Sequence, residues 1–432
     1  VISSPQDWVR SFAEYGSCRA IVLTDASVAE LPLAGTVRSA LTEAGARVKA
    51  SVLSGPGDAD RAIACARTIS GKELVVALGG GSLIDQAKLA ALIADEPGTG
   101  PLLRGRGRCG LVALPPGTHR SRPLLAVPTT VGTGAEVSRS ACVLDAGRRR
   151  LVRGEALEPD LALLSAEAYT TLPGDLAVEG VLEALFRLAS GYAGAHARPP
   201  GHDRESESVA ARLVEVGDRI AGAHPPERGD LVAAARLSGL THLDRLHVCT
   251  DPYAAKGWFL ANEMSSVLGV RKMRAVAALL PPLWHAVTDG NARLGSAERL
   301  QRLWSRMRRA ASGDLPPEPS SGIAALIDAW DIDRSLPATA DQVSAVARAA
   351  VRAWGAGLPM LGGLRRQEIH ALIARSTGTQ DSVSVVAGAE SEKGEKIWKK
   401  TQNSTLRLSS PCRRWRSTSS KEWRLPPGAP SP

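Results

Sequence analysis

Short apolar runs alternate with helical patterns through the first 130 residues, and that alternation restricts the chain to a small set of folds. CRAIVLTD reads as a buried strand and LAGTVRSALTEAG as a helix; VKASVLSG and ADRAIACARTIS repeat the pair. ELVVALGGGS runs from strand into a glycine turn, LIDQAKLAALIA is helical, and PLLAVPTT is a further strand. Strands separated by helices pair in parallel through right-handed crossovers. From about residue 165 the pattern changes: ALIDAWDI, QVSAVARAAVRAW and RQEIHALIARS are helical, and strand candidates nearly vanish. AGAHARPPGHDRE and GDLPPEPSSG read as loops. The expected fold is α/β, with a nucleotide-binding domain on a parallel sheet over residues 1–160 and an all-helical domain over 161–376. A basic, disordered tail is expected over 377–432.

Two segments carry the chemistry. In ALGGGSLIDQAK, residues 77–88, a strand leads into Gly79, Gly80 and Gly81, and a helix starts near Ser82. Glycines let a pyrophosphate approach the backbone, and a helix N-terminus offers free N–H groups with partial positive charge. Taken alone, the glycines also fit a tight turn. In AVPTTVGTGAEVS, residues 126–138, Thr129, Thr130 and Thr133 bring hydroxyls to a strand end, where ligands of open α/β sheets bind. Taken alone, this segment also fits a capped turn.

Together the segments resemble the iron-containing (group III) alcohol dehydrogenase superfamily. GGGSLIDQAK matches its G-G-G-S-x-x-D-x-A-K motif, and PTTVGTGAEVS its P-T-T-x-G-T-G-S-E-V-T, with Ala135 in place of the Ser. EPDLALLSAEAYTTLP, residues 158–173, resembles the family's entry into its helical domain. The resemblance covers roughly residues 15–376. It implies a Rossmann-like first domain, an all-helical second one and an active site between them. It implies that Gly79, Gly80, Gly81 and Ser82 hold a dinucleotide pyrophosphate, with Thr129, Thr130 and Thr133 further along the nucleotide. Asp25 matches the acid that binds the adenosine ribose, which selects NAD over NADP, NADP remaining an allowed alternative. A helix cap is the other reading of Asp25. Arg149 falls near the family's cofactor-binding Lys.

The resemblance breaks at the metal. The family binds iron or zinc with an Asp and a His four apart on a helix and two more His downstream. In GVLEALFRLASGY, residues 180–192, those first two positions hold Glu183 and Arg187, with Tyr192 keeping the register. In NEMSSVLGVRKMRAVAALLP, residues 262–281, Asn262, Ser266 and Lys272 fall on the downstream ligand positions. Arginine cannot ligate a metal, so no metal is expected. Glu183 and Arg187 are otherwise a helix-face ion pair. The expectation is that Glu183, Arg187 and Lys272 form the catalytic group, the two cations polarising a carbonyl in the metal's place and binding a substrate carboxylate.

VLEALFR also resembles a divergent branch encoded with peptide natural-product clusters, the daptide type. That implies a dehydrogenase acting on the C-terminal threonine of a ribosomal peptide (RiPP biosynthesis). The competing readings are a non-catalytic paralogue serving as partner subunit, and a dehydroquinate synthase-type lyase, which is disfavoured because it too needs a metal with His ligands. The resemblance admits a homodimer or a biosynthetic complex.

Charge and composition narrow the partners. Of the net charge of +9, +7 sits in residues 391–432, so the rest of the chain is ordinary for an enzyme and no nucleic-acid partner is expected. No run of about 18 apolar residues or signal peptide is read from the sequence, so no membrane partner is expected. The six cysteines, Cys18, Cys65, Cys109, Cys142, Cys249 and Cys412, have no zinc-like spacing and point to the reducing cytoplasm.

Overall fold

Continuous apolar strands can be buried only where both sheet faces are covered. In a computed structural model of the chain the strands are β1 (Arg19–Asp25), β2 (Arg47–Leu53), β3 (Leu74–Gly79), β4 (Leu111–Ala113), β5 (Leu124–Pro128), β6 (Ser140–Asp145), β7 (Arg148–Arg153) and β8 (Leu161–Ala162). The structure describes residues 5–16, 19–53, 57–105, 107–195 and 201–379. The chain divides into residues 1–380 and 381–432, and every described residue lies in the first unit. Cys18, Cys412 and the expected tail from residue 380 onward lie outside the described residues.

The main sheet is parallel throughout, in the order β2-β1-β3-β5-β8. Residues of β3 and β5 are buried along their whole length, while edge strand β2 is partly exposed. Successive side chains point to opposite faces. Ile21, Leu23, Val75, Ala77, Leu124 and Ala126 join one core, shared with α4 (Ala59–Ala66) and α5 (Gly81–Asp95). Ala20, Val22, Val76, Leu78, Leu125 and Val127 join the other. That second core takes in α1 (Pro5–Glu14) and α3 (Pro32–Glu43), which follows the single turn α2 (Ala26–Ala29).

The same core runs without interruption into the helices from α7 onward, so one apolar interior joins the sheet to the helical part. Beyond the short α6 (Gly100–Leu103), these are α7 (Gly174–Ala193), α8 (His202–Gly222), α9 (Arg228–Leu240), α10 (Lys256–Leu268) and α11 (Lys272–Thr288). They continue as α12 (Ala297–Ala310), α13 (Pro319–Ala329), α14 (Ala340–Trp354) and α15 (Arg366–Thr377). No helix of the described residues is long and apolar enough to cross a membrane.

Several local expectations are corrected. A second sheet, β4-β7-β6, was not anticipated. Its signal is SACVLDAGRRRLVR, two alternating runs around Ala146 and Gly147, both at positive φ (49° and 76°), as a two-residue hairpin turn requires. The loop reading of AGAHARPPGHDRE fails from His202, where α8 begins, and that of GDLPPEPSSG from Pro319, which opens α13 behind its cap Glu318. The last helix extends through Thr377, one residue beyond the expected boundary, and Gly378 closes it in the left-handed conformation.

Candidate functional site

The glycine turn leaves β3 at Gly79, with Gly80 as N-cap of α5. No side chain caps that end, so the Gly81 and Ser82 N–H groups are available to an anion, while that of Leu83 donates to Gly80 O at 3.0 Å. A cavity of ≈ 320 Å³ opens there, lined by Asp25, Leu53, Gly80, Gly81, Ser82, Leu83, Gln86 and Thr130. A Cβ on Gly81 would lie 2.7 Å from Thr133 Cγ2, so only glycine lets the threonine turn seat against the helix start. Sequence reading thus placed Gly80, Gly81, Ser82, Thr130 and Asp25 around one cavity, with Gly79 and Thr133 behind it. Thr129 is buried, its backbone N–H donating to Gly79 O at 3.0 Å, and it does not line the cavity.

The structure bears out the helix-cap reading of Asp25 and also places the residue on the cavity wall. Its Oδ1 caps α2, accepting from the Val28 N–H at 3.0 Å and from Ser27 Oγ at 2.5 Å. Its Oδ2 faces Gly79, 3.1 Å from where a Cβ would stand. One oxygen is therefore committed to the fold, while the residue itself lines the cavity. Asp25→Ala should weaken NAD binding by about 1.5–3 kcal/mol and abolish discrimination against NADP. Parallel titrations with the two dinucleotides check this, and a variant that still prefers NAD as strongly as the wild type refutes the placement.

Helix α7 approaches the threonine turn closely. A Cβ on Gly180 would lie 2.5 Å from Val131 O, and one on Gly132 (φ +103°) would lie 2.4 Å from Gly180 Cα. Gly180→Ala must push these backbones apart, at an expected cost of about 1–3 kcal/mol. A denaturant midpoint unchanged from wild type would contradict that packing.

Along α7, Asp175, Glu179, Glu183 and Arg187 recur every four residues, which puts them on one face. Cations from the start of α11 meet this row: Arg271 Nη2 donates to Glu179 at 2.8 Å, and Lys272 Nζ to Glu183 at 2.6 Å. Glu183 is also 3.9 Å from Arg187. The pair is therefore buried rather than a solvated helix-face bridge, with side chains 7% and 13% exposed. Burial works against the Glu183 carboxylate, but Lys272 and then Arg187 outweigh it and hold its pKa below the usual carboxylate range.

The structure brings Glu183, Arg187 and Lys272 together and corrects the role expected of Arg187. Its Nη1 donates to Thr241 Oγ1 (2.7 Å), and its Nη2 to the carbonyls of Gly132 (2.7 Å) and Thr133 (3.1 Å). The fork expected to grip a substrate carboxylate grips the protein backbone instead. Buried Glu136 also acts on Arg187, although burial raises the Glu136 pKa and Lys88 acts on it more strongly than Arg187 does. Asn262 is buried on α10, and Ser266 Oγ donates back to the Asn262 carbonyl at 2.9 Å.

Sequence reasoning missed Trp258. Its ring stacks on Phe186 (centroids 5.3 Å apart, 12° between planes) and lies under the Lys272 ammonium at 4.3 Å, a cation–π contact. The signal was its place on α10, one turn before Asn262. Ser238, Thr241 and His242 were missed too, and nothing in LSGLTH marks them. His242 Nε2 donates to Thr133 O at 3.0 Å, and burial, then Arg187, holds the imidazole well below its ordinary pKa and so neutral. Arg149, on β7, acts on Glu183 and Cys142 from nearby.

A divalent metal does not fit this donor set. The Glu183 carboxylate is held by two cations, His242 Nε2 and His247 Nε2 are bound to carbonyls, and Arg187 cannot ligate. Among the described residues no three His, Cys, Asp or Glu side chains gather as a metal cluster.

Residues 6–166 match the family model described as iron-containing alcohol dehydrogenase. The chain is 33% identical over 246 residues to the probable alcohol dehydrogenase EutG of Salmonella typhimurium, covering 56% of each. It is 27% identical over 267 residues to the long-chain-alcohol dehydrogenase 1 of Geobacillus thermodenitrificans, covering 59% of this chain and 65% of that one. The chain thus spans about half to just under two-thirds of these relatives. The NADH-dependent butanol dehydrogenase A of Thermotoga maritima superposes with a TM-score of 0.70 at 15% identity, over 86% of this chain and 94% of that one. Sulfoacetaldehyde reductase from Bifidobacterium kashiwanohense, solved in complex with NAD+, does so with a TM-score of 0.69 at 17% identity, over 88% and 96%. These two establish the likeness of fold.

Proposed function

We propose that this chain, a member of the iron-containing alcohol dehydrogenase superfamily, is an NAD(H)-dependent oxidoreductase of alcohols and aldehydes that works without a divalent metal. The observation that carries the reading is the cavity at the uncapped start of α5, with the Asp25 carboxylate on its wall. Gly80, Gly81 and Ser82 would hold the pyrophosphate through backbone N–H groups, and Asp25 Oδ2 the ribose hydroxyls. The bound dinucleotide supplies or accepts hydride. By the sequence resemblance Lys272 falls on one of the family's ligand positions, and its ammonium has N–H capacity beyond the one bond to Glu183. It would orient and polarise the substrate oxygen, with the Trp258 ring beside it excluding water.

The substrate class is proposed to bear a carboxylate, with the Lys272 ammonium serving both it and the adjoining hydroxyl, since Arg187 is committed to the threonine turn. A ribosomal peptide ending in threonine meets that requirement, with the hydroxyl to be oxidised close to the terminal carboxylate, and VLEALFR supports it by resemblance. Free Cys65, Cys109, Cys142 and Cys249 suit a reducing compartment, and the proposed location is the cytoplasm.

The test is NAD+ reduction by the purified protein, in excess chelator, with a threonine-terminated peptide and with simple alcohols. Turnover should persist through chelation, and elemental analysis should find no stoichiometric iron or zinc. Activity that vanishes with chelator and returns with added metal overturns the metal-free reading. NADH binding without turnover of any substrate class favours the non-catalytic paralogue.

A further inference from the structure

We infer that Arg187, Ser238 and His242 form a clasp that positions the threonine turn for the dinucleotide; this rests on the cofactor reading above. The Gly132 carbonyl accepts from Arg187 Nη2 at 2.7 Å and from Ser238 Oγ at 2.8 Å. The next carbonyl, of Thr133, accepts from Arg187 Nη2 at 3.1 Å and from His242 Nε2 at 3.0 Å. Each oxygen thus has two donors, which matches its two lone pairs. Thr241 Oγ1 accepts from Arg187 Nη1 at 2.7 Å and donates to Ser238 O at 2.6 Å, tying the donors to one another.

The clasped peptide needs holding. Gly132 (φ +103°) and Gly134 (φ +60°) sit in conformations that only glycine adopts without strain, and glycine is the residue that loses most freedom on being fixed. On its other side the same turn meets the ligand cavity: Thr130 lines it, and Thr133 packs against Gly81. The donors come from α7 and from the end of α9, so the helical part of the chain sets the shape of the cofactor turn. Arg187 also lies 3.9 Å from Glu183, which holds Lys272, so the clasp reaches the substrate side of the site. Arg187, Ser238 and His242 are positioning residues: they touch the turn, and the turn borders the cavity in which the dinucleotide would sit.

The experiment is a fluorescence titration with NADH, paired with hydrogen exchange over residues 126–138, on wild type, Ser238→Ala, His242→Leu and His242→Gln. Ser238→Ala and His242→Leu should each raise the NADH Kd about tenfold and speed exchange in that segment. His242→Gln, whose side-chain amide can donate to the same carbonyl, should recover most of both losses. Folded variants with wild-type Kd and wild-type exchange overturn the clasp. A wild type that binds no NADH overturns the dinucleotide reading instead. The exchange arm then still decides the clasp, which is refuted if residues 126–138 exchange alike in all four proteins.

Discussion

Lys272→Met should lower kcat/KM for the alcohol or aldehyde substrate by about 100-fold or more, the range seen when one donor to a developing oxyanion is lost. NADH affinity should stay within about twofold, since Lys272 is not among the residues lining the cavity at the start of α5. Methionine keeps the length and removes the charge. Lys272 is held by two contacts, to Glu183 at 2.6 Å and over Trp258 at 4.3 Å, and its side chain remains 19% exposed. An ammonium pinned in that way can meet a substrate oxygen with little rearrangement.

The substitution also leaves Glu183 without its nearest cation, so a folding defect must be separated from a chemical one. Glu183 has a depressed pKa in the folded state, held down by Lys272 and Arg187 against burial. Its stabilising contribution is complete above its unfolded pKa of about 4.3 and is lost as pH falls through the lower folded value. Lys272→Met removes the stronger of those two cations, so its acid unfolding should begin at a higher pH than that of wild type. The double variant Lys272→Met/Glu183→Gln should regain stability and remain inactive. Full activity in that double variant would show that the ammonium is only a counter-ion for Glu183.

Some of this was legible in the sequence because its cause is local. The runs AIVLTD, LVVALG and LLAVP are too apolar to be anything but strands covered on both faces, and the glycine turn sits where β3 must end. The spacing of Glu183 and Arg187 fixed them on one face of α7, and the structure does bring Lys272 to them. What could not be read is what each cation holds. A guanidinium at a ligand position looks like a hand offered to substrate, and only the tertiary fold places two carbonyls of the threonine turn in its grip. Glu136 is similar: the motif gives its position, but its closeness to Arg187 comes from packing α7 on the turn. Trp258 reads as one more core aromatic until α11 sets an ammonium over it.

Lys88→Met should cost about 3–5 kcal/mol of stability, the usual penalty for stripping a buried carboxylate of its cation. Lys88 belongs to the glycine-turn motif, yet it does not line the cavity and is completely buried. Its three N–H groups match three acceptors, Ser138 O, Ser138 Oγ and Ser140 O, each at 3.0 Å. Asp85, one turn earlier on α5, lies 3.6 Å from Nζ and accepts the Cys142 N–H at 2.8 Å. Burial lowers the Lys88 pKa and raises that of Asp85, and each opposes the shift in the other. The pair therefore rivets α5 to the chain segment that joins the threonine turn to β6. Methionine fills similar volume but abandons three acceptors and leaves Asp85 and Glu136 short of a charge. Lys88→Met/Asp85→Asn removes the unpaired carboxylate, so urea denaturation should find the double variant more stable than Lys88→Met alone. If Lys88→Met unfolds at the wild-type midpoint, or if Asp85→Asn only adds to its cost, the pair is not what holds the two motifs together.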